Sequence, residues 1–341
     1  MKVLITGGAG FVGRWFTSRL LQQGHEVCII DNLVAGGGGI APSSKWLMGD
    51  PNDYDHFKWI RQDCRDFFDS RTQDEWDVII HLAAVVGGRL TIELNPLAVA
   101  EDLQIDAAFW RFVANRPPVN IIHFSSSAAY PVALQTPDHH RPLSESDIDF
   151  DKPLGTPDLT YGWAKLTSEF VSRVASHKIP SSIATYRPFS GFGEDQDLSY
   201  PFPSIMKRAV EEVNAGSDSI AVWGSGLQQR DFIHIDDVVS AVLGTYQTLS
   251  ASEPLNLGTG IGTSFIDLAR TATRCAGREL DVRASSDKPE GVFARVADDC
   301  LFRQMGSRVG TPLEEGIRLG IDYWRMRLES SDGTRVGTRQ P

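Results

Sequence analysis

The chain has 341 residues, enough for one large domain or two modest ones. Its formal net charge is −11, which argues against a general nucleic-acid-binding protein but leaves room for a local basic pocket that holds a phosphate. Hydrophobic residues make up 41% and charged residues 23%, as in an ordinary soluble globular protein.

The cysteines and the N-terminus indicate the cellular compartment. The four cysteines, at 28, 64, 275 and 300, lack the spacing of a metal site, so we expect reduced thiols and a cytoplasmic protein. The N-terminal apolar run is too short for a signal peptide and is interrupted by glycines. No stretch approaches 18 continuous apolar residues, so we expect no membrane span.

The first half of the chain alternates short β-branched runs with helical patterns. The predicted strands span 2–6, 26–31, 76–84, 119–127 and 181–189. A helix is predicted over 11–24, with Gly24 closing it, and another from near Tyr161. This alternation predicts an α/β fold, a doubly wound parallel sheet with helices on both faces.

After Pro188 the pattern breaks into shorter pieces. The residues that interrupt it are Pro201, Pro203, Gly224 and Gly226. A strand entering a helix is predicted over 231–246, and another strand over 253–260. We therefore expect one domain made of 1–187 and 234–262, a smaller, discontinuous domain made of 188–233 and 263–328, and a disordered tail over 329–341.

A glycine-rich turn lies between the first predicted strand and helix. From Gly7 its spacing is G-x-x-G-x-x-G, which lets the backbone approach a pyrophosphate at a helix N-terminus. Asp31 ends the second strand, 18 residues after Gly13, where a carboxylate can bind the adenosine ribose. It would also repel a 2′-phosphate, which favours NAD over NADP. A plain strand-end turn is the alternative for Asp31, but the combination favours a Rossmann-type dinucleotide site.

Two neighbouring features leave alternatives open. Asp63, within 62–66, is either an adenine contact or part of a surface turn. The four consecutive glycines at 36–39 form either a loop beside the ribose or a simple linker.

Tyr161 and Lys165 are four residues apart on one predicted helix face. A lysine ammonium beside a phenol is expected to lower the pKa of the phenol towards neutrality. The phenolate can then take a proton from an alcohol while hydride passes to nicotinamide, and a nearby serine can share that proton. Such a pair also occurs on exposed helix faces; the dinucleotide turn and a serine-bearing strand end strengthen the catalytic interpretation.

Several motifs appear in the order seen in a known family. After the glycine turn they are HLAA (81–84), SSSAAYP (125–131), YGWAK (161–165), RPFSGFG (187–193), RDFIHIDD (230–237) and NLGTG (256–260). Over about residues 1–325 the chain resembles the extended short-chain dehydrogenase/reductase family, whose members mostly modify nucleotide sugars. The resemblance implies that Ser126 is the active-site hydroxyl, Tyr161 the base and Lys165 its partner, which also holds the nicotinamide ribose.

The resemblance implies a bound NAD, a nucleotide-sugar substrate and a homodimer built on helices near 102–116 and 161–177. The predicted cofactor contacts are Gly7, Gly10, Phe11, Val12, Asp31, Asn32, Asp63, Cys64, Leu82, Ala83, Ala84, Tyr161 and Lys165. The predicted substrate contacts are Gly87, Gly88, Ser127, Ser190, Tyr200, Arg230 and Arg295. Arginine suits this role because its fork binds phosphate bidentately; a surface charge is the alternative for Arg230. We predict no metal, nucleic-acid or membrane partner.

Within the family, segments 83–89, 223–237 and 289–299 are most similar to the GDP-mannose 3,5-epimerase and GDP-fucose synthase branch. The 3,5-epimerases place a cysteine two residues after the active-site serine, with a lysine or histidine as its partner. Here these positions hold Ala128 and Tyr200, and a phenol without a nearby cation is a poor base. The Asp-Glu pair of the 4,6-dehydratases is also replaced, by Ser127 and Ala128.

The residues that remain suffice for reversible oxidation of one sugar hydroxyl. If the keto sugar turns over and takes hydride back on its other face, the result is 4-epimerisation. We therefore predict an NAD-dependent nucleotide-sugar epimerase that acts at C4 of a GDP- or UDP-linked sugar. A 3,5-epimerase, reductase or dehydratase that recruits Tyr200 or another residue is one alternative, and a non-catalytic NAD-binding scaffold is another. Two family asparagines are replaced, by Asp102 and Ser190; the first adds a negative charge near the cofactor that the resemblance does not explain.

Overall fold

The structure is a computed structural model that describes residues 1–44, 46–70, 74–85, 87–251, 253–285 and 290–335. The strands are β1 Lys2–Thr6, β2 Glu26–Ile30, β3 Phe57–Ile60, β4 Val78–His81, β5 Asn120–Phe124, β6 Gln135–Thr136, β7 His139–His140, β8 Ser182–Pro188, β9 Ser190–Phe192, β10 Ser219–Trp223, β11 Gln229–His234, β12 Leu255–Leu257, β13 Gly262–Ser264, β14 Asp281–Ser285 and β15 Ala294–Arg295. The helices are α1 Phe11–Gln22, α2 Cys64–Asp69, α3 Arg89–Leu94, α4 Ala98–Asn115, α5 Leu159–Ser176, α6 Pro201–Asn214, α7 Ile235–Thr245, α8 Phe265–Ala276, α9 Cys300–Gln304 and α10 Leu313–Arg335.

In the described part of the chain, seven parallel strands form the main sheet in the order β12-β8-β5-β4-β1-β2-β3. Its central strands are continuous apolar runs, and Val3, Leu4 and Ile5 of β1 are fully buried. Such runs are typical of parallel strands that are covered on both faces. Strand order reverses between β1 and β4, which creates a crevice at the carboxyl ends of the strands where ligands bind in this class of fold.

Helices cover both faces of this sheet, as the doubly wound prediction requires. On one face α1 packs against α7, and Phe16 and Val242 belong to the same buried cluster. On the other face α4 packs against α2 and α5, where Phe109 and Val113 are fully buried. The predicted fold class, a doubly wound parallel α/β sheet, is therefore confirmed.

A second group of elements comes from 188–233 and the chain after 262. Strand β11 pairs with β9, β13 and β15, and β10 pairs with β14. Helices α6, α8 and α10 pack on one another around a separate apolar core that contains Met206, Leu268 and Ile317. Helix α10 continues to Arg335 and so includes the first residues of the segment predicted to be a disordered tail, whereas 336–341 lie outside the described residues.

A buried ion pair ties the two groups of elements together. Arg14 on α1 donates to the carboxylate of Asp195, which follows β9, at 2.7 Å, and the indole N–H of Trp15 donates to the same carboxylate at 3.1 Å. Both charged side chains are almost fully excluded from solvent. Over the ranges described above, no helix combines the length and apolarity needed to cross a bilayer.

Candidate active site

A cavity of about 600 Å³ opens at the carboxyl ends of the central strands, a size typical of ligand pockets. Its wall comes from the glycine turn, the ends of β4 and β5, the first turns of α5, the segment 188–205, β11 and β15. The predicted residues that line it are Gly7, Gly10, Phe11, Val12, Leu82, Ala84, Gly87, Gly88, Ser126, Ser127, Tyr161, Lys165, Ser190, Tyr200, Arg230 and Arg295. Predictions from distant parts of the sequence thus meet in one place.

The glycine turn forms a cradle that a side chain would fill. Gly7 has φ +70°, and a Cβ added to it would lie 2.9 Å from the backbone nitrogen of Ala83. A Cβ on Gly13 would lie 2.3 Å from the carbonyl oxygen of Gly7. Helix α1 begins after Gly10 without a side-chain cap, so no side chain blocks the N–H groups of its first turn. These features fit a pyrophosphate.

Asp31 follows β2 and faces the glycine turn. Its carboxylate accepts hydrogen bonds from the N–H groups of Ala9, at 3.0 Å, and Leu33, at 2.8 Å. These bonds fix the carboxylate at the strand end and leave lone pairs for further donors, as ribose binding would need. Asp31 is not among the residues that line the cavity.

Four other predicted cofactor contacts also stand outside the cavity wall: Asn32, Asp63, Cys64 and Ala83. The Asp63 carboxylate caps α2 and pairs with Arg65, whose hydrogen bonds lower the pKa of Asp63. Burial raises the pKa of the Cys64 thiol to about 12. The N–H of Ala83 donates to the Thr6 hydroxyl at 3.2 Å, beneath the glycine turn. Their role in cofactor binding stays a prediction.

The three residues predicted to be catalytic lie together. Ser126 follows β5, and its hydroxyl caps a short 3₁₀ turn by accepting from the N–H of Ala128 at 3.1 Å. Tyr161 lies in the first turn of α5, close enough to Ser126 for the serine hydroxyl to lower the pKa of the phenol. One turn later, the Lys165 Nζ lies 5.7 Å from the centre of the Tyr161 ring. This arrangement can pass a proton between a substrate hydroxyl and the phenol.

The pKa of Tyr161 departs from the expectation. Burial raises it above its ordinary value, and this effect outweighs the positive charge of Lys165, which lowers it. The negative charges of Asp102 and Asp106 raise it further. The prediction of a lowered pKa is therefore wrong for the chain alone, because the sequence reveals the lysine four residues away but neither the burial nor the two acids.

Three arginines gather around one carboxylate in the cavity wall. Arg295 donates to Asp158 at 2.7 Å and to the Gln135 amide oxygen at 2.8 Å, and Arg89 approaches Asp158 at 3.4 Å. Arg230 is held by the carbonyl oxygens of Gln229 and Val292, facing the cavity rather than bulk solvent.

This arginine cluster has more positive than negative charge. Burial, together with Arg295 and Arg89, lowers the pKa of Arg230 to about 9, which shows how poorly its charge is compensated. Arg89 also pairs with Glu93 at 2.7 Å, so the three guanidinium groups face two carboxylates. The positive charge that is left suits an anionic ligand such as a diphosphate. Sequence reasoning assigned no role to Arg89, the last residue of segment 83–89, or to Asp158, three residues before segment 161–165.

The remaining wall surrounds Ala128 and Tyr200. Ala128 lines the cavity between Ser126 and Asp158, and Tyr200 lines it just before α6. Burial and the nearby Tyr161 raise the pKa of Tyr200, in the direction expected for a phenol that is a poor base. A Cβ on Gly88 would lie 2.0 Å from the Ser199 carbonyl oxygen, so the paired-glycine loop closes directly on the segment that carries Tyr200.

Comparison with known proteins agrees with this geometry. Residues 3–258 match the model of the NAD dependent epimerase/dehydratase family. The chain belongs to this family. The predicted family and the NAD cofactor are thereby confirmed, and the close backbone packing of the glycine turn leaves a cradle that fits the pyrophosphate of this cofactor.

The chain is 26% identical to UDP-glucose 4-epimerase of Bacillus subtilis (strain 168), over 98% of each chain. It is 24% identical to GDP-L-fucose synthase of Azorhizobium caulinodans, over 95% of this chain and 96% of that protein. Among solved structures it is similar to UDP-glucose 4-epimerase of Thermotoga maritima, with TM-score 0.78, 20% identity and coverage of 96% and 100% of the two chains. At this identity the likeness between the structures establishes the fold.

Proposed function

We propose that this member of the NAD-dependent epimerase/dehydratase family is a nucleotide-sugar 4-epimerase. The observation that carries the proposal is the meeting, in one cavity, of the Ser126–Tyr161–Lys165 group with an alanine at 128. The Ser126–Tyr161–Lys165 group can transfer a proton at one sugar hydroxyl. The alanine at 128 has no group that could transfer a proton at the neighbouring carbons. Relatives named as UDP-glucose 4-epimerases, which align over nearly the whole chain, add support.

When bound, NAD supplies a reversible acceptor for the hydride of one sugar carbon. The chain's own residues manage the accompanying proton. Tyr161 takes it from the 4-hydroxyl and later returns it, and Ser126, which lies beside Tyr161, orients the sugar oxygen. Lys165 lowers the pKa of Tyr161 through its charge. The glycine turn and the start of α1 would hold the pyrophosphate of the cofactor.

The arginine cluster, Arg89, Arg230 and Arg295 around Asp158, is proposed to hold the substrate diphosphate. It lines the same cavity as Tyr161, and Asp158 directly precedes the helix that carries this tyrosine. Anchoring the diphosphate fixes one end of the substrate and leaves the sugar free to turn. Rotation about the bonds that join them would present either face of a 4-keto sugar for reduction.

Of the other ionisable side chains of the wall, two are poorly suited to a second proton transfer and one is better placed for it. Among the described residues of the wall, these ionisable side chains are His81, Arg89, Asp158, Asp197, Tyr200, Arg208, Arg230, Glu290 and Arg295. Asp158 is held by the arginines and Tyr200 is a poor base. Asp197, exposed beside Tyr200, is the specific observation that favours a second candidate, a 3,5-epimerase.

The deciding experiment is turnover of UDP-, GDP-, CDP- and dTDP-linked sugars in D₂O, followed by NMR and mass spectrometry. A C4 epimer without carbon-bound deuterium is expected, because the hydride returns internally. Deuterium at C3 or C5 would contradict the 4-epimerase proposal and favour the 3,5-epimerase, and the Asp197→Asn variant would then be expected to lose exchange.

The Tyr161→Phe variant tests whether the chain is an enzyme rather than a scaffold. Turnover should fall by about a thousand-fold, as expected when a general base is lost, while NAD still binds. Tyr54→Phe is the matched control, because Tyr54 lies against the core beside α1, outside the cavity wall. Absence of turnover on every sugar of the panel by the unmodified protein would instead favour a non-catalytic NAD-binding scaffold.

A further inference from the structure

Two acidic side chains on α4 lie close to the lysine of the active site, and the proposed reaction assigns neither a role. Asp102 and Asp106 are one helical turn apart and are 2% and 7% exposed. Both interact electrostatically with Lys165 and Tyr161 on α5, which packs against α4. Acidic side chains this deeply buried are rare unless they are paired.

Each carboxylate is only half satisfied by hydrogen bonds. Asp102 accepts the N–H of Val85 at 2.5 Å through Oδ1, and Asp106 Oδ1 lies 3.2 Å from His81 Nε2. The Oδ2 atom of each is buried and has no hydrogen-bond partner in the described part of the chain. A buried carboxylate oxygen without a partner costs stability, so a functional reason for retaining both acids is worth seeking.

The charges around Lys165 do not balance when both acids are ionised. One ammonium then faces two carboxylates, which gives a net charge of −1 before Tyr161 loses its proton, and a phenolate makes it −2. Like charges in a poorly solvated site oppose one another. The acids therefore favour a protonated Lys165 and at the same time resist formation of the Tyr161 phenolate.

The two acids differ in their surroundings. The hydrogen bond to His81 and the charge of Lys165 outweigh the burial of Asp106 and lower the pKa of its carboxyl group. Burial raises the pKa of Asp102 to about 6, despite Lys165 and the Val85 N–H. Asp106 thus keeps its negative charge, and Asp102 is the member whose charge changes near neutral pH.

We propose that Asp102, buried on α4 with an unpartnered carboxylate oxygen beside the helix that carries Tyr161 and Lys165, is a positioning residue for this pair. The inference rests on the proposed role of Tyr161 as the base. The charged and titratable groups that face Asp102 are Lys165 and Tyr161 from α5, and Asp106 and Glu101 from its own helix. An ionised Asp102 raises the pKa of Tyr161. When Asp102 is protonated, this increase in the pKa of Tyr161 is lost.

The test is a pH titration of the Tyr161 phenol with NAD bound and no sugar present. Phenolate absorbance in the near ultraviolet is recorded as the difference between each protein and the same protein carrying Tyr161→Phe. Asp102→Asn keeps the shape of the side chain and an acceptor for Val85 but removes the charge. It should lower the apparent pKa of Tyr161 by about one unit, as expected for loss of a close like charge.

Glu101→Gln is the matched control, since it removes one charge from the neighbouring, exposed position, which pairs with Arg65. It should leave the Tyr161 titration unchanged. Asp106→Asn is the second variant, in case Asp102→Asn folds poorly, and should also lower the pKa of Tyr161. An unchanged titration in the folded Asp variants, or an equal shift in Glu101→Gln, would overturn the inference.

The pH dependence of kcat provides an independent reading. With the sugar that is turned over, Asp102→Asn should move the acid limb of the kcat profile to lower pH, whereas a merely structural role would reduce kcat equally at every pH. Failure of the proposed function can be distinguished from failure of this inference, because the phenol titration needs no sugar. The titration can give the expected result even if no nucleotide sugar of the panel is turned over.

Discussion

At the scale of single residues, Arg295 offers a test of diphosphate binding. Replacing it with glutamine removes the charge while keeping a hydrogen-bond donor near Asp158 and Gln135. Charged hydrogen bonds contribute about 1.5–3 kcal/mol, so the KM for the nucleotide sugar should rise about 10- to 100-fold with little change in NAD affinity. Steady-state kinetics and NAD titration measure both. Arg303→Gln, at an exposed site on α9, should change neither; equal effects of the two variants would argue against the arginine cluster.

Ala128 tests whether the sugar must turn within the cavity. Ala128→Leu adds bulk to the wall next to Ser126, so it should slow formation of the epimer more than the first reduction of NAD. Rapid-mixing absorbance follows the reduced cofactor, and NMR follows the epimer. Ala128→Ser adds little volume and should behave nearly as the parent protein. Equal loss of both signals in Ala128→Leu would count against rotation.

Residue-scale prediction brought together residues that belong to short motifs. The serine, tyrosine and lysine were found because their spacing along strand and helix is local, and they line one cavity. Asp158 and its arginines were missed as a group because Arg89 lies 69 positions and Arg295 137 positions away in sequence. Their partnership exists only once the sheet and the smaller group of elements have come together.

At the scale of elements, Gly13 tests the contact between α1 and the glycine turn. In Gly13→Ala the added Cβ would meet backbone atoms of Gly7 and Gly8, at 2.3 and 2.6 Å, so the helix or the turn must move. We expect a loss of about 1–3 kcal/mol in the free energy of unfolding, as for other overpacked sites, together with weaker NAD binding. Denaturant unfolding and NAD titration measure these effects.

Gly244→Ala is the control for this prediction, because Gly244 is also helical and a Cβ there would meet nothing within 4 Å. Alanine is the better helix former, so this variant should be as stable as the parent or more stable, by up to about 1 kcal/mol. If Gly13→Ala behaved in the same way, the close packing of α1 against the turn would not constrain the cofactor site.

The elements that the sequence missed share a physical reason. Strand β3 is an edge strand in which Lys58 alternates with Phe57 and Trp59, and none of its residues is fully buried. It lacks the continuous apolar run by which β1 and β5 were recognised, and its place is fixed by pairing with β2. The pairing of β10 with β14 likewise joins two segments that are about 60 residues apart in sequence.

At the scale of the whole molecule, the doubly wound sheet was predictable because each strand–helix unit carries its own pattern. The second group of elements was predicted only as a region, since its sheets join short pieces from both sides of α7 and β12. The contact between the main sheet and the second group of elements includes the ion pair of Arg14 and Asp195, which are 181 positions apart in sequence. Burial of that ion pair could not be foreseen from the glycine motif that contains Arg14.

The last prediction concerns the exposed face of α4 and α5. Apolar side chains at Leu103, Trp163, Phe170 and Val174 are 41–49% exposed. The three on α5 follow a helical stripe, and α5 packs beside α4. An apolar stripe of this kind, on two adjacent helices, suits a two-fold interface in which each copy contributes the same pair. We therefore expect a homodimer through a four-helix contact, as the family resemblance also predicts.

Phe170→Glu should convert this dimer to a monomer, because isologous contact places the new charge on both copies and buries it at the interface. Size-exclusion chromatography with light scattering would show the mass fall from twice 37.6 kDa to the mass of a single chain. Leu319→Glu is the matched control, since Leu319 is a similarly exposed apolar residue on α10, away from this face. A monomeric parent protein, or dissociation caused equally by Leu319→Glu, would place the contact elsewhere or rule it out.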